Sequence, residues 1–316
     1  MAQPTPGDVH VNAPLTNVSI AYLQKRAAFI ADRMFPNLPV MKQSDRYYSY
    51  PKGNWFRTEA RVRAPGSESA GSGWTVDNTP NYFAPVVAVH KDVDDQIRAN
   101  ADAAIDVDRD AAEWVTQQLL LKRDLDFKSK YFGAGIWSAD VTPAVLWDAA
   151  GSTPIDDLSA QIQAIQSTTG FKPNKLLLGA PVWYVLKNHP DFLDRIKYTQ
   201  RAVVGLDLLA QVLELDEVLV GEAVQNTAIE GAADALGFVY GKHALLCYAA
   251  PAPSLLQPSA GYTFSWTGYL GAGPAGNRVK RFRMEQLASD RVEGEMAYDM
   301  KLVAADLGVF FNGAIT

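Results

Sequence analysis

The sequence of 316 residues predicts an α+β fold, and three stretches carry that prediction. Residues 44–90 alternate like an extended two-stranded ribbon around a tip rich in glycine and serine. A helical stretch follows over residues 92–133, and its best-defined part is amphipathic. Beyond residue 156 helices alternate with short strands, and after residue 258 the chain is mostly strand. Such an order is typical of a mixed fold with more than one subdomain.

Residues 1–43 predict a flexible lead and one amphipathic helix. The lead contains three prolines, and Thr16 or Asn17 would cap the helix. Pro36 ends it, because a residue that precedes proline is disfavoured in helical geometry. The apolar face has helical spacing: Ile20, Leu23, Ala27, Ile30 and Met34.

The ribbon is predicted from a period of two. Arg57, Arg61 and Arg63 alternate with small or apolar residues such as Val62, as in a strand with one face in solvent. A returning strand runs from Asn81, with a face formed by Tyr82, Ala84, Val86 and Ala88.

The base of the ribbon is rich in aromatic residues. An isolated two-stranded hairpin is marginally stable in water, so these side chains need a cover. The ribbon either folds back on its own domain or lies over a neighbouring subunit, and the second arrangement is favoured. The aromatic residues concerned are Tyr47, Tyr48, Tyr50, Trp55 and Phe56.

The helix over residues 106–132 has charge signals at both ends. Aspartates lie in its first turn, lysines in its last, and Gly133 follows as a stop, in agreement with the helix dipole. At about 1.5 Å per residue it is roughly 40 Å long. Its predicted main apolar face is Ala111, Trp114, Leu121, Leu125 and Phe132, with a second stripe of Leu120, Phe127 and Tyr131.

The second half of the chain predicts an α/β region followed by returning strands. Helices are expected after Asp156, after Pro181 and over residues 206–213, and strands over 175–178, 217–220 and 237–248. Further strands are expected over 262–267, 278–287, 293–304 and 307–311, with a turn at residues 289–291. The late strands are expected to pack under the long helix.

Composition excludes several classes of protein. A net charge of −6 disfavours a general nucleic-acid binder. The single cysteine, Cys247, lies in an apolar run, which excludes an internal disulfide framework and indicates a core residue. No run approaches eighteen apolar residues, and the N-terminus resembles no export signal, so a soluble protein that is not exported is expected.

No motif in the sequence predicts a catalytic, cofactor or metal site. Gly271, Gly273 and Gly276 match G-x-G-x-x-G, but a strand rather than a helix follows, so a glycine turn is expected. Three alternating aspartates after residue 105 lack the glycine and glutamate of a calcium loop, and the four histidines are scattered. The cations Arg278, Lys280, Arg281 and Arg283 are interpreted as edge-strand or intersubunit charges rather than as a nucleic-acid contact.

In the order and type of its predicted elements, the chain resembles the major capsid proteins of tailed bacteriophages, which have the Hong Kong 97-type fold. The similar stretches are Ile20-Ala21-Tyr22-Leu23 with Phe35-Pro36, Arg109-Asp110-Ala111 before Leu119-Leu120-Leu121-Lys122-Arg123, and residues 298–311. The resemblance implies an N-terminal arm (1–43), an extended loop (44–90), a peripheral subdomain with a spine helix (91–155), an axial subdomain (156–258), and return strands that complete the peripheral subdomain (259–316).

The resemblance also implies a function and partners. Copies of the chain would form hexamers and pentamers of an icosahedral head around double-stranded DNA, assembled in the bacterial cytoplasm and retained in the virion. A separate scaffolding protein, a portal and a decoration protein are implied partners, the DNA is touched only weakly, and neither a membrane nor a cofactor is involved. The candidate intersubunit contacts are Tyr48, Trp55, Arg57, Arg61, Arg63, Tyr82, Arg281 and Arg283.

Two alternatives are weighed beside the capsid. A bacterial nanocompartment shell, or encapsulin, has the same fold and encloses enzyme cargo. A two-subdomain α/β enzyme would act in a cleft near residues 133–154, although no acid/base set is visible there. Some capsid relatives crosslink subunits through a lysine, an asparagine and a glutamate. Lys52 lies in the loop, but its two partners have no match.

Overall fold

The computed structural model describes residues 23–101, 106–196, 205–254, 257–270 and 277–316. The predicted lead, the start of the N-terminal helix and the G-x-G-x-x-G segment lie outside these ranges. The described strands are β1 (Asn37–Val40), β2 (Ser44–Arg46), β3 (Asn81–Phe83), β4 (Val86–Asp94), β5 (Ala139–Val141), β6 (Lys175–Gly179), β7 (Glu217–Gly221), β8 (Val224–Asn226), β9 (Leu236–Phe238), β10 (Ala244–Cys247), β11 (Gly261–Trp266), β12 (Asn277–Met284), β13 (Ser289–Leu302) and β14 (Gly308–Phe311). The described α-helices are α1 (Ala31–Met34), α2 (Lys52–Trp55), α3 (Asp95–Asn100), α4 (Val107–Tyr131), α5 (Pro154–Thr169), α6 (Ala180–Leu186), α7 (Pro190–Ile196), α8 (Leu206–Leu213) and α9 (Thr267–Leu270).

Two five-stranded sheets organise the fold. The first has the order β1-β11-β13-β12, and β4 also pairs with β13. The second has the order β5-β14-β10-β6-β7. β13 is the centre of the first sheet, because β4 and β12 both pair with its residues 289–296. Strands from both halves of the sequence therefore build the first sheet, as predicted.

The spine helix α4 packs on β13. Its side chains Val115 and Leu119 lie over Gly294, where an added Cβ would come 2.5 Å from Val115 Cγ1 and 2.7 Å from Leu119 Cδ1. Asp106 caps the helix by accepting a hydrogen bond from the Arg109 N–H group. The predicted length and the charge order at the two ends are confirmed. The left-handed cap predicted at Gly133 is wrong, because Phe132 ends the helix with φ of −112° and Gly133 does not have a positive φ. The predicted stretch from residue 92 is also wrong, since β4 extends to Asp94 and a separate helix, α3, follows.

The buried face of α4 differs from the predicted one. Trp114, Leu121 and Leu125 are only partly buried. Most residues of the buried face are spaced four apart, and the face includes two charged residues, Arg123 and Asp124. Its members are Ala111, Val115, Leu119, Arg123, Asp124, Phe127 and Tyr131.

The N-terminal segment is fixed to α4 by a buried carboxylate. Asp124 accepts hydrogen bonds from the N–H groups of Ile30 (3.2 Å) and Ala31 (3.1 Å), and from the Tyr240 hydroxyl (2.9 Å). Beside it, Arg123 forms an ion pair with Asp32 at 2.6 Å. The predicted long helix is wrong within residues 23–34. A 3-10 turn and the short α1 replace it, because the backbone N–H groups bond to Asp124 instead of to a helical turn.

The second sheet is buried on both faces. Leu177, Leu245 and Phe310 face the core shared with α4, whereas their neighbours in the strands face α5, α6 and α8. Cys247 belongs to the first of these cores, and burial raises its pKa to about 12. The thiol is therefore a core residue, as predicted.

Two further boundaries differ from the sequence prediction. Residues 289–291 begin β13, and the turn before it is the 3-10 segment Glu285–Leu287 with Ala288 in the left-handed conformation. The last strand, β14, pairs with β10 and β5 in the second sheet. The sequence analysis instead predicts it among the return strands of the peripheral subdomain. The helices predicted after residues 156 and 181 and over 206–213 are confirmed as α5, α6 and α8.

Candidate intersubunit contact surface

The extended loop is anchored at its base by strand pairing and ring stacking. β2 pairs with β3, and the Phe83 N–H group donates to the Asp299 carboxylate at 2.9 Å. The ring of Phe264 stacks on Tyr82, with centroids 4.6 Å apart and planes 6° apart, and on Tyr47 at 5.4 Å. The base is therefore part of the subunit's own core.

Above this base, four contacts join the outgoing and returning arms of the loop. Ser49 and Asp77 exchange two backbone hydrogen bonds of 2.8 Å. The Asn54 amide donates to the Thr75 hydroxyl at 3.0 Å. The rings of Trp55 and Trp74 lie 5.9 Å apart, and the Tyr47 N–H group bonds to the Pro80 carbonyl. We call this joined part of the loop, residues 47–56 with 74–80, the loop stem.

Beyond the stem, residues 57–73 are fully exposed and form no strand. The predicted strand over residues 57–64 is therefore wrong: the alternating pattern has no partner strand among the described residues. The returning strand also changes face. Tyr82 and Ala84 are buried, but after Pro85 the partly buried residues are Val87 and Val89.

The loop carries large apolar side chains that stay well exposed in the isolated subunit. Val62 is 103% exposed and Trp74 63% exposed. Several exposed large apolar side chains on one segment are typical of an interaction site in a soluble protein. We call the set the loop surface: Tyr48, Trp55, Phe56, Val62, Trp74 and Val76.

Three predicted contact residues, Arg57, Arg61 and Arg63, lie on the exposed loop. None of them forms an ion pair with a described residue, and Arg63 donates to the Ser67 carbonyl. Tyr48 and Trp55 are also exposed, as an intersubunit role requires. Val62 and Trp74 are also exposed on the loop, and the sequence analysis did not single them out as candidate contacts. The available signal for Trp74 was a tryptophan beside a glycine- and serine-rich tip.

The prediction that Tyr82 is an intersubunit contact is wrong. Its side chain is 6% exposed and its hydroxyl donates to the Lys42 carbonyl, so it holds the loop base within the subunit. Alternation from Asn81 places it on the same face as Ala84, and that face is buried at this point.

Arg281 and Arg283 are neutralised inside the subunit. Arg283 donates two hydrogen bonds, of 2.6 and 2.7 Å, to the Asp95 carboxylate, which lowers the pKa of Asp95. Arg281 forms ion pairs with Asp290 and Asp108.

The other two cations of β12 are paired in the same way. Arg278 bonds to Glu295 at 2.6 Å, and Lys280 bonds to Glu293 and Glu295. The cationic stretch of β12 therefore holds its own sheet together, which removes the charge excess that a nucleic-acid contact would need.

The cleft near residues 133–154 contains one serine–histidine pair. Ser152 Oγ lies 2.8 Å from His189 Nε2, while His189 Nδ1 accepts the Asp191 backbone N–H at 3.1 Å. Because Nδ1 accepts, Nε2 carries the proton and donates to the serine, and the hydroxyl donates to the Ala149 carbonyl at 2.8 Å. A general base would need an unprotonated Nε2 facing the serine. The Ser152–His189 hydrogen bond therefore has a structural role, linking two buried segments of the subunit.

Within the described ranges, no group of three or more His, Cys, Asp or Glu side chains could hold a metal ion. None of the helices in those ranges combines the length and apolar character that crossing a membrane requires.

Almost the whole chain is similar to known phage proteins. No model of a protein family matches the chain. The chain is 25% identical over 319 residues to the major capsid protein of Burkholderia phage BcepMu, covering 96% of each chain. It is also 25% identical over 316 residues to the major capsid protein of Pseudomonas phage JBD67, covering 96% of this chain and 97% of that protein.

Solved structures show the same fold. A phage-related protein from Bordetella bronchiseptica RB50 matches with a TM-score of 0.69 at 22% identity, over 92% of this chain and 93% of that one. The SrpI encapsulin of Synechococcus elongatus PCC 7942 matches with a TM-score of 0.57 at 12% identity, over 99% and 96%. The chain has the α+β Hong Kong 97-like capsid fold, as its sequence predicts.

Proposed function

We propose that this chain is the major capsid protein of a tailed bacteriophage and that its copies form the hexamers and pentamers of an icosahedral head. The observation that carries the proposal is the extended loop. It leaves four large aromatic side chains and two valines at least 46% exposed in the isolated subunit. Likeness over the whole length to phage major capsid proteins supports the same function.

The loop surface is proposed to lie on a neighbouring subunit. Burying an aromatic side chain removes roughly 150–250 Å² from water, so several such residues supply much of the roughly 800 Å² per partner of a standard interface. The stem fixes the two arms of the loop before contact, which lowers the entropy lost on association. Tyr48, Trp55, Arg57, Arg61 and Arg63 are proposed intersubunit contacts.

The proposed division of the chain follows the predicted one. Residues 1–43 form the N-terminal arm, 44–90 the extended loop, 91–155 the peripheral subdomain with α4, 156–258 the axial subdomain, and 259–307 the return strands. Residues 308–316 are assigned to the axial subdomain, because β14 pairs with β10.

The proposed role is structural rather than enzymatic, and the proposed location is the virion after assembly in the bacterial cytoplasm. A separate scaffolding protein, a portal and a decoration protein are proposed partners. Double-stranded DNA inside the shell is proposed to be touched weakly, because the net charge is −6 and the cations of β12 are already paired.

Assembly of the purified chain tests the proposal. We expect hexamers and shell-like particles by negative-stain electron microscopy and light scattering as concentration rises. A variant with residues 58–72 replaced by a short glycine linker should keep the unfolding midpoint of the unmodified chain but stay monomeric. A chain that remains monomeric at every concentration, with and without its scaffolding protein, would falsify the proposal.

The encapsulin-type compartment is the second candidate, because that fold also matches almost all of the chain. Expression alone in bacteria separates the two. Small uniform shells that copurify with an enzyme cargo indicate a compartment. Particles of irregular size without cargo indicate a capsid protein that needs its scaffold.

A further inference from the structure

Beyond Tyr47, which stacks on Phe264 at the loop base, the loop stem contacts the described body of its own subunit at two further places. Lys52 forms an ion pair with Asp306 in the segment that precedes β14, and its ammonium also lies 3.5 Å from the Thr168 carbonyl. The ring of Phe56 lies over Gly170, so close that a Cβ on Gly170 would be 3.2 Å from two ring carbons. Gly170 ends α5 in the left-handed conformation, with φ of 75°.

Between these two points the stem does not pack on the body. A cavity of about 420 Å³ remains beneath it, lined on the stem side by Tyr48, Tyr50 and Trp55, and on the body side by Phe171 and Tyr262. A packed interior has few voids larger than a water molecule, so the stem rests on the body without being fused to it.

Contacts inside the stem join its outgoing and returning arms. Ser49 with Asp77, Asn54 with Thr75, and Trp55 with Trp74 join the two arms at successive levels. The returning arm is therefore expected to follow a shift of the outgoing arm at Lys52.

We propose that the Lys52–Asp306 ion pair and the Phe56 ring over Gly170 form a latch that sets the direction of the extended loop in a single subunit. The side chains of Lys52 and Asp306 are 53% and 31% exposed, and ion pairs of this exposure are individually weak. The latch therefore biases the loop toward one direction and still opens. The latch is a property of the isolated subunit, and only its use in assembly rests on the proposed function.

The distance between two spin labels in the unassembled chain tests the latch. One label is placed on the stem at Val76→Cys, which is exposed, and the other on α5 at Gln163→Cys. Cys247 is fully buried, and labelling of the chain without added cysteines verifies that it does not react. We expect one narrow distance peak, measured by double electron–electron resonance.

Four variants decide the outcome. Lys52→Asp and Asp306→Lys should each lose the narrow peak, and the double exchange Lys52→Asp with Asp306→Lys should restore it. Phe56→Ala, which leaves the ion pair intact, should broaden the peak. Lys42→Asp is the matched control, because Lys42 pairs with Asp45 inside the loop base and should leave the peak unchanged.

A narrow peak that survives both single charge changes, or one that the double exchange does not restore, overturns the latch. Circular dichroism of each variant verifies its fold. Electron microscopy of the same samples reads assembly separately. Failure to form particles with an intact latch response would therefore count against the proposed function and not against the latch.

Discussion

At the residue scale, Asp124 is the most consequential side chain that the sequence does not single out. A charged residue in a long helix normally faces solvent, and Asp124 interrupts the apolar spacing. The structure buries it, because two N–H groups and one hydroxyl from distant parts of the chain bond to its carboxylate. Those partners lie 93 to 116 residues away, so no local pattern could have predicted them.

Replacing Asp124 with alanine should destabilise the subunit. The change leaves two N–H groups and the Tyr240 hydroxyl without their acceptor, at roughly 1–3 kcal/mol each. Removal of a buried charge offsets part of this cost. We expect a net loss of roughly 2–4 kcal/mol in the free energy of unfolding, measured with urea.

Glu113→Ala is the matched control for Asp124→Ala, since Glu113 lies on the same helix and forms an exposed pair with Arg109. Its loss should cost less than about 0.5 kcal/mol. Equal effects of the two substitutions would show that Asp124 is no anchor for the N-terminal segment.

The stability of the subunit should depend on pH through Asp124. Burial raises the pKa of its carboxyl from 3.8 to about 6, against the lowering effect of its hydrogen bonds. The folded state therefore holds the proton more tightly than the unfolded state. The contribution of Asp124 to the free energy of unfolding rises as pH falls from about 7 to about 4, and levels off below.

The comparison that isolates this effect is Asp124→Asn, which cannot titrate. The difference in free energy of unfolding between the unmodified chain and the variant should change by up to roughly 3 kcal/mol over that range. Parallel pH curves for the two proteins would rule out titration of Asp124 in this window.

At the element scale, the spine helix was predictable and the loop was not. The helix has a cap, a charge order and a stop signal of its own. The loop pattern over residues 57–64 satisfies the period of a strand, but a strand also needs a partner, and the part of the subunit that the structure describes supplies none. Pro85 then separates β3 from β4 and reverses which residues face inward.

The contact between α4 and β13 requires the absence of a side chain at Gly294. An added methyl group would overlap Val115 and Leu119. We expect Gly294→Ala to lower the free energy of unfolding by about 1–3 kcal/mol, because overpacking displaces the helix from the sheet.

The control for Gly294→Ala is Gly237→Ala. Gly237 also lies in a strand, β9, and nothing stands within 4 Å of an added Cβ. Both variants are measured by thermal and urea unfolding. If they unfold alike, close packing at Gly294 does not limit the stability of the helix–sheet contact.

At the scale of the whole molecule, order along the chain predicted the fold class better than it predicted the membership of each sheet. Clusters of β-branched and aromatic residues identify β11 and β14 as strands. Their partners are set by packing across the molecule. β4 pairs with β13 about 200 residues later, and β14 joins β10 instead of the neighbouring β13.

The subunit as a whole is acidic, with a net charge of −6, whereas its exposed loop carries Arg57, Arg61 and Arg63. If the loop lies on a neighbouring copy, these cations approach a negatively charged body, and the attraction is screened by salt, with a Debye length of about 10 Å at 0.1 M. Replacing all three with alanine should leave the unfolding midpoint unchanged, because none forms an ion pair with a described residue and the hydrogen bond from Arg63 to the Ser67 carbonyl lies within the exposed loop. The concentration needed for assembly should rise by roughly tenfold at low salt, as expected for the loss of a few weak contacts per subunit. Light scattering over a salt series measures the concentration needed for assembly. That concentration should depend less on salt in the variant than in the unmodified chain. The triple variant Lys25→Ala, Arg26→Ala and Lys130→Ala serves as the control for charge alone, because these three cations are exposed and lie outside the loop. Equal weakening of assembly by this control would show that the attraction does not depend on the loop.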